Sequence, residues 1–262
     1  AAASIWDYQT NPQVVKYGPH VGSAVSAAVQ SPAHMQAAAS ASYGAINVST
    51  SGSISSGSVS GGAGAKFDDM LLLSNSALNG TQGQLTLAYY FDYDQFVAKS
   101  GTGFSNGSLT FLAWAGSNYS NYMDYMNTDS GGYTMYEYRD PNGGGRTYDV
   151  SRRNYLYVTT GFTWGQYLNT SFEINSNVGS YVPSNSTGTA SFGFDAAQSG
   201  YWGGIVSASA GGNTITDYDL SSRSGTDYSH SFVPHGDVPE PGTVPVLLFG
   251  LALVGMLRMR KR

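Results

Sequence analysis

Glycoside cleavage needs two carboxylates across a cleft, and the only glutamates before residue 238 are Glu137 and Glu173. The two can be drawn on facing strands. Nothing in the flanking residues separates that pair from two solvent-facing strand positions, since Glu137 simply alternates within Tyr133-Thr134-Met135-Tyr136-Glu137-Tyr138. The histidines are His20, His34, His230 and His235. No two have the spacing of a metal site or lie beside a nucleophile motif. His230 reads as packed on one strand face with Tyr228 and Phe232. With no cysteine, thiolate chemistry and disulfides are excluded. The expectation is a chain that is not an enzyme and carries no catalytic residues.

Two other chemistries have candidates. Asp92-Tyr93-Asp94 and Asn127-Thr128-Asp129-Ser130-Gly131 place oxygen ligands at alternate positions. That suits a structural calcium ion through Asp92, Asp94, Asn127 and Asp129, although neither run completes the calcium-loop pattern; no other cofactor is expected. Flat aromatic faces next to amides and hydroxyls suit sugar rings. The segment Asn118-Tyr119-Ser120-Asn121-Tyr122-Met123-Asp124-Tyr125 is the best such surface, with Trp114 and Trp202 as further candidates beside Tyr119, Tyr122 and Tyr125. The competing explanation is that tyrosine favours strands and roofs the core.

Composition narrows the partners. Only 11% of residues are charged, against about 25% in ordinary domains, so solubility rests on Ser, Thr, Asn and Tyr. Net charge is −5, and outside the C-terminal end no cations cluster beyond Arg152-Arg153. Nucleic acid is therefore not an expected partner. Low charge, and strand edges with few Lys or Pro, leave self-association open.

The elements that must hold these residues read as β. Leu85, Leu87, Tyr89 and Phe91 alternate with Thr86, Ala88, Tyr90 and Asp92, a period of two. Similar runs are predicted at 109–115, 133–138, 155–160, 171–174, 190–194, 204–209 and 228–233. Asn79-Gly80, Asn106-Gly107, Asn142-Gly143 and Gly211-Gly212-Asn213 supply turn chemistry between them. The pattern predicts an all-β fold, a jelly-roll-like β-sandwich of eight or more strands. Residues 1–64, rich in Ala, Ser and Gly, would supply its first strands, and 65–237 its body. Val21, Val25, Ala28 and Val29 fall at helical spacing before Pro32, which predicts one short helix. Residues 43–64 read either as a thin strand pair or as a flexible linker.

The last segment, 238–262, is of another kind. Val238-Pro239-Glu240-Pro241-Gly242-Thr243 is followed by the unbroken apolar run Val244–Leu257 and then Arg258-Met259-Arg260-Lys261-Arg262. As a helix that run would be roughly 21 Å long, short of the about 30 Å of a hydrocarbon core. The cations after it would stop transfer and stay on the cytoplasmic side, leaving the body outside. Pro239, Pro241 and Pro245 keep the approach extended. This tail resembles the PEP-CTERM sorting signal of Gram-negative bacteria, carried by Val238, Pro239, Glu240, Pro241, Arg258, Arg260, Lys261 and Arg262. The resemblance implies recognition by an exosortase, transient insertion of the tail in the inner membrane, and delivery to the cell surface or to an extracellular, exopolysaccharide-rich biofilm matrix. The small residues Ala1-Ala2-Ala3-Ser4 suit a mature end left by a secretory signal. Together these lead to the expectation of an exported structural or adhesive matrix protein. The alternatives are a carbohydrate-binding module and a self-assembling filament or sheath subunit.

Overall fold

The computed structural model describes residues 2–7, 14–17, 25–31, 35–129, 132–133, 136–139, 147–148 and 154–233. The strands, in order, are β1 (Ala2–Asp7), β2 (Val14–Tyr17), β3 (Val25–Ser31), β4 (Met35–Ser42), β5 (Ala45–Ile54), β6 (Gly57–Ser74), β7 (Gln82–Phe91), β8 (Asp94–Gly101) and β9 (Phe104–Ala115). They continue with β10 (Asn118–Asp129), β11 (Gly132–Tyr133), β12 (Tyr136–Arg139), β13 (Thr147–Tyr148), β14 (Tyr155–Thr163), β15 (Tyr167–Val182), β16 (Gly188–Ala210), β17 (Asn213–Thr214) and β18 (Asp219–Ser222). No helix occurs among the described residues. The apolar helix expected in the tail lies outside them.

Two antiparallel sheets form. One has ten strands in the order β13-β12-β10-β9-β15-β6-β1-β2, with β11 on β10 and β18 on β6. The other has eight, β14-β7-β16-β5-β4-β3, with β8 and β17 also on β16. Period-two alternation makes each sheet two-faced: along β9 every second residue from Ser105 to Ala115 is buried. The inner faces meet through aromatic side chains, Tyr89 stacking on Phe172 at 5.0 Å and Phe91 on Phe111 at 4.3 Å. A polar stitch joins the sheets at the same level, Thr50 Oγ1 to Ser176 Oγ at 2.7 Å. The result is a β-sandwich with one continuous core. Its connections are mixed. Successive strands β5, β6 and β7 alternate between sheets, as do β14, β15 and β16, whereas β3-β4-β5 form a meander within one sheet and β9-β10 a hairpin, not Greek-key crossings.

The structure revises several local expectations. Residues 25–31 form a strand paired with β4 from Val25↔Ala41 to Ser31↔Met35, so no helix occupies that described segment. Alanine's helical preference is weak beside sheet packing, which buries Ala37, Ala39 and Ala41. Residues 43–64 are strand and not linker, but β5 and β6 lie in different sheets and do not pair with each other, and β6 runs unbroken across position 64 within one compact unit, Ala1–Phe232. The predicted strands 190–194 and 204–209 are parts of the single 23-residue β16, whose β-bulges absorb the change of register. Asn79-Gly80 and Gly211-Gly212 do turn, with φ of 87° at Gly80 and 56° and 84° at Gly211 and Gly212. Asn106-Gly107 does not: it lies inside β9, where Phe194 covers Gly107 so closely that a Cβ would sit 2.4 Å from its ring. Residues 228–233 are irregular and not a strand. Asn142-Gly143 falls outside the described residues.

Candidate functional site

The β9–β10 hairpin sets Trp114 opposite Tyr119. Because Ser120 and Tyr122 point into the core, Tyr119 and Tyr125 face outward with Trp114, all three half-buried. Tyr125 pairs with Ser108, about 20 Å further along the strand, so it does not join Trp114 and Tyr119 in one contact.

Trp114 borders an open cleft of about 950 Å³. Strand β6 lends Lys66, Asp68 and Met70, β15 lends Asn169 and Ser171, and the chain after β18 lends Arg223 and Ser224. Lys66 Nζ lies 5.6 Å from the Trp114 ring centroid and 2.9 Å from Asp68 Oδ1. The ammonium therefore sits over the indole with its charge matched. Asp69, on the other face of β6, is buried. Its Oδ1 accepts the N–H groups of Met70 (2.8 Å) and Ser224 (3.1 Å), and its Oδ2 accepts the Ser224 hydroxyl. With Arg223 N–H donating to Met70 O at 2.9 Å, these bonds strap residues 223–232 across the end of the sandwich and fix one wall of the cleft. Burial, with Asp69 and Asp68 nearby, raises the Tyr43 phenol above its ordinary value; burial and then Asp69 raise Tyr228.

One cleft group lacks a partner. Ser171 is 8% exposed and its hydroxyl makes no hydrogen bond among the described residues. An unpaired buried hydroxyl costs about 1–3 kcal/mol, and with almost no accessible surface on its oxygen Ser171 offers a ligand in the cleft no open contact. Asp69 already accepts three donors.

Two candidate sugar contacts belong instead to the core. Tyr122 is 2% exposed and its hydroxyl bonds Tyr93 OH at 2.6 Å. Trp202 is fully buried, donates Nε1–H to Tyr228 O at 3.1 Å and meets Tyr89 edge-on at 5.5 Å. A ring with no open face stacks no sugar. Glu137 and Glu173 do not face each other across sheets. Both lie in the ten-stranded sheet, separated by β10 and β9, at register positions of opposite faces. His230 is exposed rather than packed, 3.7 Å from Asp227 Oδ2, its ring tilted against Phe232. Asp92 is exposed and its Oδ1 accepts the neighbouring Tyr93 N–H at 3.0 Å. The side chains of Asp94, Asn127 and Asp129 lie outside the described residues, as do His20, His34 and His235. Among the described residues no three acidic or histidine groups converge.

Lys66, Asn169, Ser171 and Arg223 escaped the sequence reading. Period two along Lys66-Phe67-Asp68-Asp69-Met70 does put Lys66, Asp68 and Met70 on one face. The pairing that sets β15 between β6 and β9, Ser171 opposite both Asp68 and Trp114, carries no local signal.

Residues 237–262 match the PEP-CTERM protein-sorting motif. That motif marks an exported protein sorted to the cell envelope by an exosortase. Neither the curated proteins nor the solved structures contain a significant match to the chain. The sorting residues Val238 to Arg262 themselves lie outside the described residues.

Proposed function

We propose that this protein is a non-catalytic surface protein that adheres to extracellular polysaccharide, with the Trp114 cleft as its contact. The observation that carries this reading is a partly exposed indole beside the exposed polar side chains of Asp68 and Asn169 in one cleft. An aromatic face takes the C–H side of a sugar ring, while Asn169 and Asp68 take its hydroxyls. The sorting motif supports it by sending the chain to where such polymers are. During sorting the short apolar run enters the inner membrane, with its basic end held inside. Affinity electrophoresis of the wild-type chain through gels containing hydroxyethyl cellulose, dextran, galactomannan or alginate tests the idea. Retardation by at least one polymer, lost in Trp114→Ala, is expected; equal mobility in all four would overturn it.

A further inference from the structure

The opposite outer face of the sandwich carries an aromatic row of its own. Tyr90 of β7 pairs with Tyr201 of β16 on one side and Tyr155 of β14 on the other, so three tyrosines occupy one rung of the eight-stranded sheet. Their chain neighbours Tyr89, Phe91, Leu156 and Trp202 fill the core, which puts the three on the outside. Ring centroids are 6.3 Å apart for Tyr90 and Tyr201 and 5.1 Å for Tyr90 and Tyr155. Tyr157, two residues along β14, stacks on Tyr155 at 5.9 Å with 18° between planes. Tyr90 is closed in by its neighbours, whereas Tyr157 is 52% exposed. The row is thus continuous, with an open face at the β14 end.

Its surroundings say what it could hold. No Lys, Arg, Asp or Glu occurs in β14, in β7 or in residues 200–210 of β16. Among the described residues these three strand segments offer an ion-pairing partner nothing to pair with; Arg152-Arg153, which precede β14 in the chain, lie outside the described residues. Hydroxyls are plentiful: the phenols themselves, and Thr86 and Thr159, whose Oγ1 atoms lie 3.0 Å apart. A Cβ at position 161 would meet only the Gly83 carbonyl oxygen, at 3.9 Å, and Gly203 lies so close to Ala88 that a Cβ would meet its carbonyl oxygen at 3.0 Å. The floor is low and uncharged, and the rings stand along it with polar rims. That combination suits the apolar faces and hydroxyl edges of a neutral polysaccharide.

We propose that Tyr201, Tyr155 and Tyr157, set around the buried ring of Tyr90, form a second contact surface for uncharged polysaccharide, which makes the protein a two-sided cross-link between polymer chains. This rests on the adhesive reading of the Trp114 cleft. The two surfaces lie on the outer faces of opposite sheets, so a second engagement recruits another chain rather than tightening the grip on the first.

Turbidity and sedimentation of the full chain mixed with hydroxyethyl cellulose, dextran or galactomannan, alongside gel retardation, test it, with near-ultraviolet dichroism to confirm that each variant folds. The wild type should give a turbid network at intermediate ratios that clears with excess protein. Tyr155→Ala/Tyr157→Ala should stay retarded in gels while its turbidity maximum falls at least about tenfold. Undiminished turbidity in that double variant overturns the proposal, as does self-association through the row without polysaccharide. A wild type that is retarded but never cross-links removes the second surface and leaves the cleft standing. Retention without cross-linking that survives Trp114→Ala but fails in the double variant would remove the cleft and keep the row, whereas cross-linking that survives Trp114→Ala overturns the two-sided proposal.

Discussion

The hydroxyls of Tyr93 and Tyr122 lie 2.6 Å apart inside the core, each ring packed on Phe111. This bond takes Tyr122 out of the surface that its neighbours Tyr119 and Tyr125 present. Tyr122→Phe should cost about 1 kcal/mol in a urea melt, and Tyr122→Ala about 3–5 kcal/mol. Neither should change glycan retention per folded molecule.

Trp114 should behave in the reverse way. Half-exposed, it contributes little to the core, so Trp114→Ala should move the melting temperature by only a few degrees while weakening glycan binding about tenfold or more. Trp202→Ala, by contrast, should unfold much of the protein, since that indole fills the centre of the sandwich.

Gly107 is needed for space and not for a turn. Gly107→Ala would drive a Cβ to 2.4 Å from Phe194 and should cost about 1–3 kcal/mol. Its φ is not positive, since the residue is absent from the positive-φ glycines, so the loss in a thermal melt should be relieved by a smaller side chain at 194.

Alkaline pH should unfold the chain through its buried phenols. Burial raises Tyr89, opposed by its hydrogen bond with Thr170, and burial followed by Asp69 raises Tyr228. The folded state therefore holds these protons more tightly than the unfolded chain. Their stabilisation is intact below the ordinary phenol value of about 10 and is lost as pH rises beyond it. Urea midpoints should be flat from about pH 7 to 9 and fall above 10. The Tyr228 hydroxyl makes no hydrogen bond among the described residues, so Tyr228→Phe should be neutral or stabilising by up to about 1 kcal/mol and should flatten the alkaline fall.

Sorting predicts a shorter mature chain. Intact mass of protein taken from the cell surface should show a cut near 239–242, with loss of the apolar run and of the cations Arg258, Arg260, Lys261 and Arg262. A full-length soluble product would contradict exosortase processing.

The strands with clear alternation were legible because their two faces differ: Leu85 to Phe91 and Leu109 to Ala115 read directly as β7 and β9. β16 was not legible as one element, since its glycines and bulges interrupt the period just where it passes from β5 to β7. Trp114 and Tyr119 could be named as surface aromatics. Tyr122 could have been separated from them by applying period two to residues 119–125, which sets odd and even positions on opposite faces. Lys66 and Ser171 became part of the cleft only through long-range pairings, Ser171 with Asp68 and with Trp114, and the strap at Ser224 is held by side-chain bonds that leave no periodic trace.

The strap has a mechanical meaning. Strand β18 is sewn to β6 in one sheet, and ten residues on, Phe232 N–H donates to Trp202 O in the other at 2.9 Å. The sorting segment follows directly. If the chain is hauled from that end during delivery, the pull first meets a seam that grips both sheets. The two halves of the sandwich would then resist together instead of peeling apart strand by strand.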